Sequence, residues 1–381
     1  MATIQQGRRL RNTGAWQPGD EPGGRRFAEV FTAAEPMPLI SGERLGPVTM
    51  AYECWGERRD DNCVLVLPPL SMTSHASGPD GPGHPRPGWW AGLVGPGLAV
   101  DTDRFFVVCP NNLGGCDGST GPASAGPDGR PWAARFPGID VVDQVTAEAA
   151  LADALGIERW HTVIGMSIGG ARALEWAISR PQRVERHVLI AVSAATRIEQ
   201  AGLTNLELLQ IRNDPHFHGG DYYEREEGCG PEFGVAMARS IAHVRYGAEQ
   251  GWQDRFGGDT FTGDSDSCHR AFAEHLVEQG RIMYQRFDAN CYLTLSEAAL
   301  KATVARGRTD IESALASIRC PAVVIGFSSD RAYPPATQQD LADGIAGAQL
   351  RLVDSPLGHY TFLFGQELLA GVLSATMREL S

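Results

Sequence analysis

The sequence predicts an α/β fold, with a mostly parallel central sheet and an inserted helical lid. Three observations predict it. Short apolar, β-rich runs recur at Val48 to Ala51, Cys63 to Leu67, Phe105 to Cys109, His161 to Ile164, His187 to Ala191, Ala322 to Gly326 and Gln349 to Val353, several of them separated by helical patterns. From about Ala194 to Arg308 that rhythm stops, and helical periodicity takes over in Thr204 to Arg212, Phe233 to Tyr246 and Cys268 to Arg286. One apolar run also drives directly into Gly165-Met166-Ser167-Ile168-Gly169 and then into the helix-forming stretch Ala171 to Ser179. The expected division is a flexible N-terminal segment over 1–26, a core over 27–193 and 309–381, and a lid over 194–308. His75 to Gly88 and Ser119 to Pro131 are rich in proline and glycine and are expected as irregular loops at the rim of a site.

A chain of 381 residues with 43% apolar content can bury a large core. Its formal charge of −13 argues against nucleic-acid or anionic-membrane partners, which need a cationic face. The cations are nearly all arginine, with Lys301 the one lysine, which leaves little room for Schiff-base chemistry. Eight cysteines are scattered without a C-x-x-C pair, as expected of reduced thiols in a cytoplasmic protein. Residues 1–26 lack an apolar export core, and no run reaches the ~18 residues needed to span a bilayer. His216-x-His218, Cys268-His269 and His275 have no matching ligand cluster, so no metal site is expected.

In a chain with 45 glycines an isolated G-x-S-x-G is a weak signal; the apolar run before it and the helix after it give it weight. A tight strand-to-helix turn lifts a serine hydroxyl clear of the sheet, where a base can remove its proton. If Ser167 is the nucleophile, an acid and then a histidine should follow later strands. The run Ala322 to Gly326 leads into Phe327-Ser328-Ser329-Asp330, and Gln349 to Val353 leads into Asp354-Ser355-Pro356-Leu357-Gly358-His359. Asp330 and His359 therefore complete the expected triad, the histidine as base and the carboxylate as its orienting partner. An oxyanion hole needs two backbone N–H groups. Ile168, after the nucleophile, should supply one, and Leu70, just past Pro68-Pro69, the other, because prolines have no donor.

Several motifs together resemble the homoserine O-acetyltransferase family of α/β-hydrolase-fold enzymes, over nearly the whole chain after about Pro38. They include Gly88 to Gly97 (GWWAGLVGPG), Asp101 to Asn111 (DTDRFFVVCPN), Leu113 to Pro122 (LGGCDGSTGP), Gly219 to Tyr223 (GGDYY), Arg286 to Asn290 (RFDAN) and Ser328 to Arg331 (SSDR). The resemblance implies an acyl-CoA-dependent O-acyltransferase, with acetyl-CoA as the expected co-substrate. Ser167 would carry the acyl group and His359 would deprotonate an acceptor hydroxyl. It also implies a homodimer joined through the lid.

Two positions depart from the family pattern. The family follows its catalytic histidine with an aspartate that holds the amino group of homoserine; here Tyr360 follows His359. The family also carries an arginine for the acceptor carboxylate six residues before an Asp-Pro pair, and counting back from Asp214-Pro215 gives Leu208. Arg197 and Arg212 are the nearby substitutes, on other faces or turns of the helix. Leu208 and Tyr360 are thus the acceptor-pocket candidates. A site without partners for an amine and a carboxylate would reject a zwitterion. The expectation is an acceptor other than homoserine, a hydroxylated specialised metabolite. Homoserine O-acetylation with rebuilt recognition and serine-hydrolase activity are the alternatives.

Overall fold

The computed structural model describes residues 9–257 and 265–380. Eight strands form the main sheet: β1 (Arg26–Phe31), β2 (Val48–Trp55), β3 (Cys63–Leu67), β4 (Phe106–Pro110), β5 (Thr162–Met166), β6 (His187–Ile190), β7 (Ala322–Phe327) and β8 (Gln349–Val353). Their spatial order is β1-β2-β4-β3-β5-β6-β7-β8; β2 runs antiparallel to both β1 and β4, and the pairs from β4 to β8 are parallel. This is the expected α/β-hydrolase fold with its mostly parallel sheet. The edge strand β1 carried no clear signal, because its residues Arg-Phe-Ala-Glu-Val-Phe are only half buried or exposed.

The central strands are continuously apolar because both of their faces are covered. Leu65 and Leu67 of β3, with Val163 of β5, face one core under α1 (Val141–Ala154), α2 (Ile168–Ser179) and α9 (Pro335–Gly344). Val64 and Val66, with Ile164 and Met166, face a second core that includes Leu369, Leu373 and Met377 of the C-terminal helix Gln366–Glu379. The period of two splits each strand between the layers.

Between β6 and β7 the chain leaves the sheet for α3 (Ile198–Arg212), α4 (Glu232–Tyr246), α5 (Glu249–Phe256), α6 (Ser265–Arg286) and α7 (Ala289–Leu300), and returns through α8 (Ile311–Ala316). Ala195 and Thr303 form a β-bridge at the neck of this insertion. The insertion has its own apolar centre, including Leu208, Ile211, Tyr222, Val235, Met283 and Phe287. Helix α7 was not visible as a periodic pattern because most of its residues are buried, so it has no polar face to mark the turn. Residues 1–8 of the N-terminal segment lie outside the described residues. From Leu10 onward that segment is fastened down: Trp16 N–H donates to Cys116 O, and Thr13 Oγ1 to Asp288 Oδ2.

Candidate active site

Ser167 sits between β5 and α2 with φ 54° and ψ −127°. A residue with a side chain holds such a backbone only when its surroundings over-determine it, at a cost of about 1–3 kcal/mol. The constraint is close backbone packing. A Cβ on Gly165 would lie 2.2 Å from Gly169 O, and a Cβ on Gly169 would lie 2.2 Å from Leu67 O. The two glycines thus let the start of α2 rest on the ends of β3 and β5, with the serine at the apex.

The structure brings Ser167, His359 and Asp330 together from three strand ends. His359 lies in the turn Gly358–Tyr360 after β8, with Nε2 2.9 Å from Ser167 Oγ and Nδ1 2.8 Å from Asp330 Oδ2. The other carboxylate oxygen of Asp330 accepts the backbone N–H groups of Ala332 and Tyr333, each at 2.9 Å. Asp330 is 2% and His359 3% exposed, so the pair is shielded from water. A carboxylate accepts at Nδ1, which places the proton there and leaves Nε2 to accept from the serine. The imidazole is packed among Tyr246, Tyr333 and Phe362, with ring centroids 4.9–5.1 Å away. Burial pushes the Tyr333 phenol up to about 12, so it stays neutral beside Ser167.

Leu70 lies in the turn after β3 and packs on a small cluster containing Ile168, Val141 and Ala302. Neither the Leu70 nor the Ile168 backbone N–H has a partner among the described residues. Ile168 is the first residue of α2, where helical amides point outward unpaired.

The acceptor-pocket candidates separate. Tyr360 is 6% exposed and reaches the lid, its hydroxyl hydrogen-bonded with His243 Nδ1 of α4 at 2.5 Å; His243 Nε2 in turn meets His275 Nε2 of α6 at 3.0 Å. Leu208 is 1% exposed and packs into the lid's own centre, and its neighbour Glu207 bonds Tyr292 and pairs with Arg245. Arg197 is exposed, and Arg212 is paired with Glu297 on the lid surface. The cation that does face this region is Arg239 of α4, which the sequence reading did not single out. Its guanidinium lies 5.9 Å from the Tyr360 ring and forms no hydrogen bond or ion pair among the described residues. Burial works against its charge, but Tyr360, Tyr292, Tyr246 and Glu207 around it outweigh burial and raise its pKa. The sequence signal was thin, since Arg239 is one of several arginines at helical spacing, and only the packing of α4 against the His359 loop distinguishes it.

Among the described residues, the group of possible metal ligands close enough to converge is Glu53, His75 and His84. The two imidazoles are stacked nearly parallel, centroids 3.7 Å apart and planes 7° apart. An ion at the usual ~2.0–2.1 Å from a nitrogen of each ring would fall far outside both ring planes, away from the lone pairs. The group is instead a hydrogen-bonded clasp: His75 Nδ1 meets Glu53, Ser74 Oγ donates to Glu53, and His84 Nε2 accepts the Gly24 N–H.

Residues 78–366 match the family described by the alpha/beta hydrolase fold. The chain is 48% identical to a homoserine O-acetyltransferase of Thermobifida fusca over 92% of this chain and 93% of that protein. It is 44% identical to one of Leifsonia xyli, over 95% and 91%. A crystal structure of the homoserine O-acetyltransferase from Bacillus anthracis superposes with a TM-score of 0.81 at 25% identity, covering 92% of this chain and 96% of that one. Relatives this similar, over nearly the full length of both chains, identify an O-acyltransferase that belongs to the homoserine O-acetyltransferase family of the α/β-hydrolase fold.

Proposed function

We propose that the chain transfers an acetyl group from acetyl-CoA to the hydroxyl of homoserine by a two-step, acyl-enzyme mechanism. The Ser167–His359–Asp330 arrangement carries the chemistry, and the relatives' names favour homoserine over the specialised metabolite expected from the sequence. Ser167 Oγ attacks the thioester carbonyl while His359 Nε2 takes its proton. The developing oxyanion is received by the Leu70 and Ile168 N–H groups. The carbon–sulfur bond breaks and the thiolate leaves with the proton from His359. The acceptor hydroxyl then gives its proton to His359 and attacks the acyl-serine. Collapse releases the ester and returns the proton to Ser167. Arg239, an unpaired cation beside the His359 loop, is the proposed partner of the acceptor carboxylate, in the role that the sequence count had given to the family arginine at Leu208.

One observation favours a second reading. Tyr360 fills the position next to His359 with a phenol bonded to His243, so no carboxylate stands at that position to pair with an ammonium group. An acceptor with a carboxylate and a hydroxyl but no free amine would suit that surface. Acetyl-CoA consumption with homoserine and with 4-hydroxybutyrate, which lacks only the amine, separates the two. A kcat/KM for homoserine about tenfold or more above that for 4-hydroxybutyrate supports the first reading; the reverse order overturns it. Equal CoA release with and without either acceptor would mark a hydrolase.

The lid also exposes apolar stripes at helical spacing. Ile198, Leu206 and Leu209 lie on α3, Phe233 and Met237 on α4, and Val277 on α6, with Ile198 90%, Phe233 69% and Val277 70% exposed. Such a surface suits a second copy of the chain, and a homodimer through the lid is part of the proposal. No helix among the described residues is long and apolar enough to cross a membrane. Among the described residues no disulfide is present, which suits the proposed cytoplasmic location.

A further inference from the structure

Four successive carbonyls of the loop after β3 are held by three side chains from three parts of the fold. Arg172 Nη2 of α2 donates to Pro68 O at 2.6 Å. Asn112 Nδ2, in the loop after β4, donates to both Pro69 O at 3.2 Å and Leu70 O at 3.1 Å. Arg286 Nη1, the last residue of α6, donates to Ser71 O at 2.9 Å. A trans peptide points its N–H opposite to the carbonyl of the same unit. Fixing Pro69 O therefore fixes the direction of the Leu70 N–H, and fixing Leu70 O fixes that of the Ser71 N–H. Asn112 grips both peptide units that flank Leu70.

We propose that Asn112 is a positioning residue of the oxyanion hole, which holds the Pro69 and Leu70 carbonyls so that the Leu70 N–H faces the Ser167 hydroxyl. The inference rests on the proposed role of Leu70. Asn112 is 2% exposed and spends its amide donors on this loop, while its Oδ1 is buried without a partner. A side chain retained only for stability would be expected to satisfy both ends of its amide. The local backbone holds only part of this geometry. Leu70 follows two prolines that fix φ but leave ψ free; the turn bond from Met72 N–H to Pro69 O, at 3.1 Å, holds one of the two flanking carbonyls, and no backbone group donates to the other, Leu70 O. The Arg286 bond extends the same grip to the lid, so the seating of α6 is felt by the loop.

The test compares Asn112→Ala and the milder Asn112→Ser with wild type and Ser167→Ala. A boronic acid forms a tetrahedral adduct on a nucleophilic serine and places an oxygen in the oxyanion hole; acetyl-CoA binding to each variant in a Ser167→Ala background reports ground-state affinity. Expected is a fall in kcat of about tenfold or more, with boronate affinity falling in parallel and acetyl-CoA affinity within about twofold. Asn112→Ser, which keeps one donor, should lie between. Unchanged kcat and boronate affinity in a folded variant would overturn the inference, as would an equal loss of acetyl-CoA and boronate affinity. If Asn112→Ala fails to fold, Asn112→Ser decides by the same ratio. Full acetyl transfer by Ser167→Ala would instead sink the underlying triad reading, which keeps the two failures apart.

Discussion

The Tyr360 hydroxyl shares a hydrogen bond with Nδ1 of His243 at 2.5 Å, fastening the residue after His359 to lid helix α4. Burial, reinforced by Arg239 and His275, pushes His243 down to about 3, so the ring is neutral. Tyr360→Phe would leave that buried nitrogen unpaired, at a cost of about 1–3 kcal/mol. Thermal melting should show a lower midpoint. Two-substrate kinetics should show a larger rise in KM for the acceptor than for acetyl-CoA, because the phenol faces Arg239. An unchanged midpoint would mean that the bond contributes nothing net.

Arg239→Met should raise the acceptor KM by about tenfold or more, since a charge-assisted bond to a carboxylate is worth about 1.5–3 kcal/mol. The rate of CoA release in the first half-reaction should stay within about twofold of wild type. Stopped-flow measurement of the two half-reactions checks this. Equal slowing of both would assign Arg239 to the lid's architecture instead.

Beneath the nucleophile, Arg172 pairs with Glu148 at 2.7 Å and both are fully buried, with Trp176 Nε1 donating to the same carboxylate at 2.8 Å. Burial raises the Glu148 pKa even with these partners. Arg172→Met would strand a carboxylate and free Pro68 O, costing about 3–5 kcal/mol. Chemical denaturation should report that loss. Glu148→Gln together with Arg172→Met, which removes both charges, should recover part of it.

Stability should fall as the pH drops below neutrality. Burial lowers His187 and His84 to about 4 and His243 to about 3, each below the ordinary value of 6.5. Their neutral forms favour the folded state, and this stabilisation is complete above about pH 6.5. Below that, the unfolded chain takes up protons that the folded chain refuses, at about 1.4 kcal/mol per pH unit for each histidine until its folded pKa is reached. His187, far from the site on β6 and 3.2 Å from Cys320 Sγ, isolates the effect. His187→Asn should flatten the pH dependence of unfolding between about pH 4 and 6 by close to one proton. An unaltered slope would contradict the account.

What could be read in the sequence was local. Gly165, Ser167 and Gly169 lie within five residues, and their turn is dictated by backbone crowding. Asp330 and His359 could be located because parallel strands deliver their carboxyl ends to one edge of the sheet. The acceptor side was harder, because it is built where the lid helices meet the core. Counting along α3 led to Leu208, whose side chain packs inside the lid, whereas the unpaired cation Arg239 comes from α4. Asn112 was invisible for a similar reason: its contacts are to backbone carbonyls some forty positions away, which leave no mark in the sequence.

The most direct test of the central claim is the intact mass of the protein after brief incubation with acetyl-CoA and no acceptor, beside Ser167→Ala. The account predicts one added acetyl group on the wild-type protein, none on the variant, and loss of the adduct when a hydroxyl acceptor is supplied. An adduct of equal yield on Ser167→Ala, or transfer to the acceptor by that variant at the wild-type rate, would contradict it.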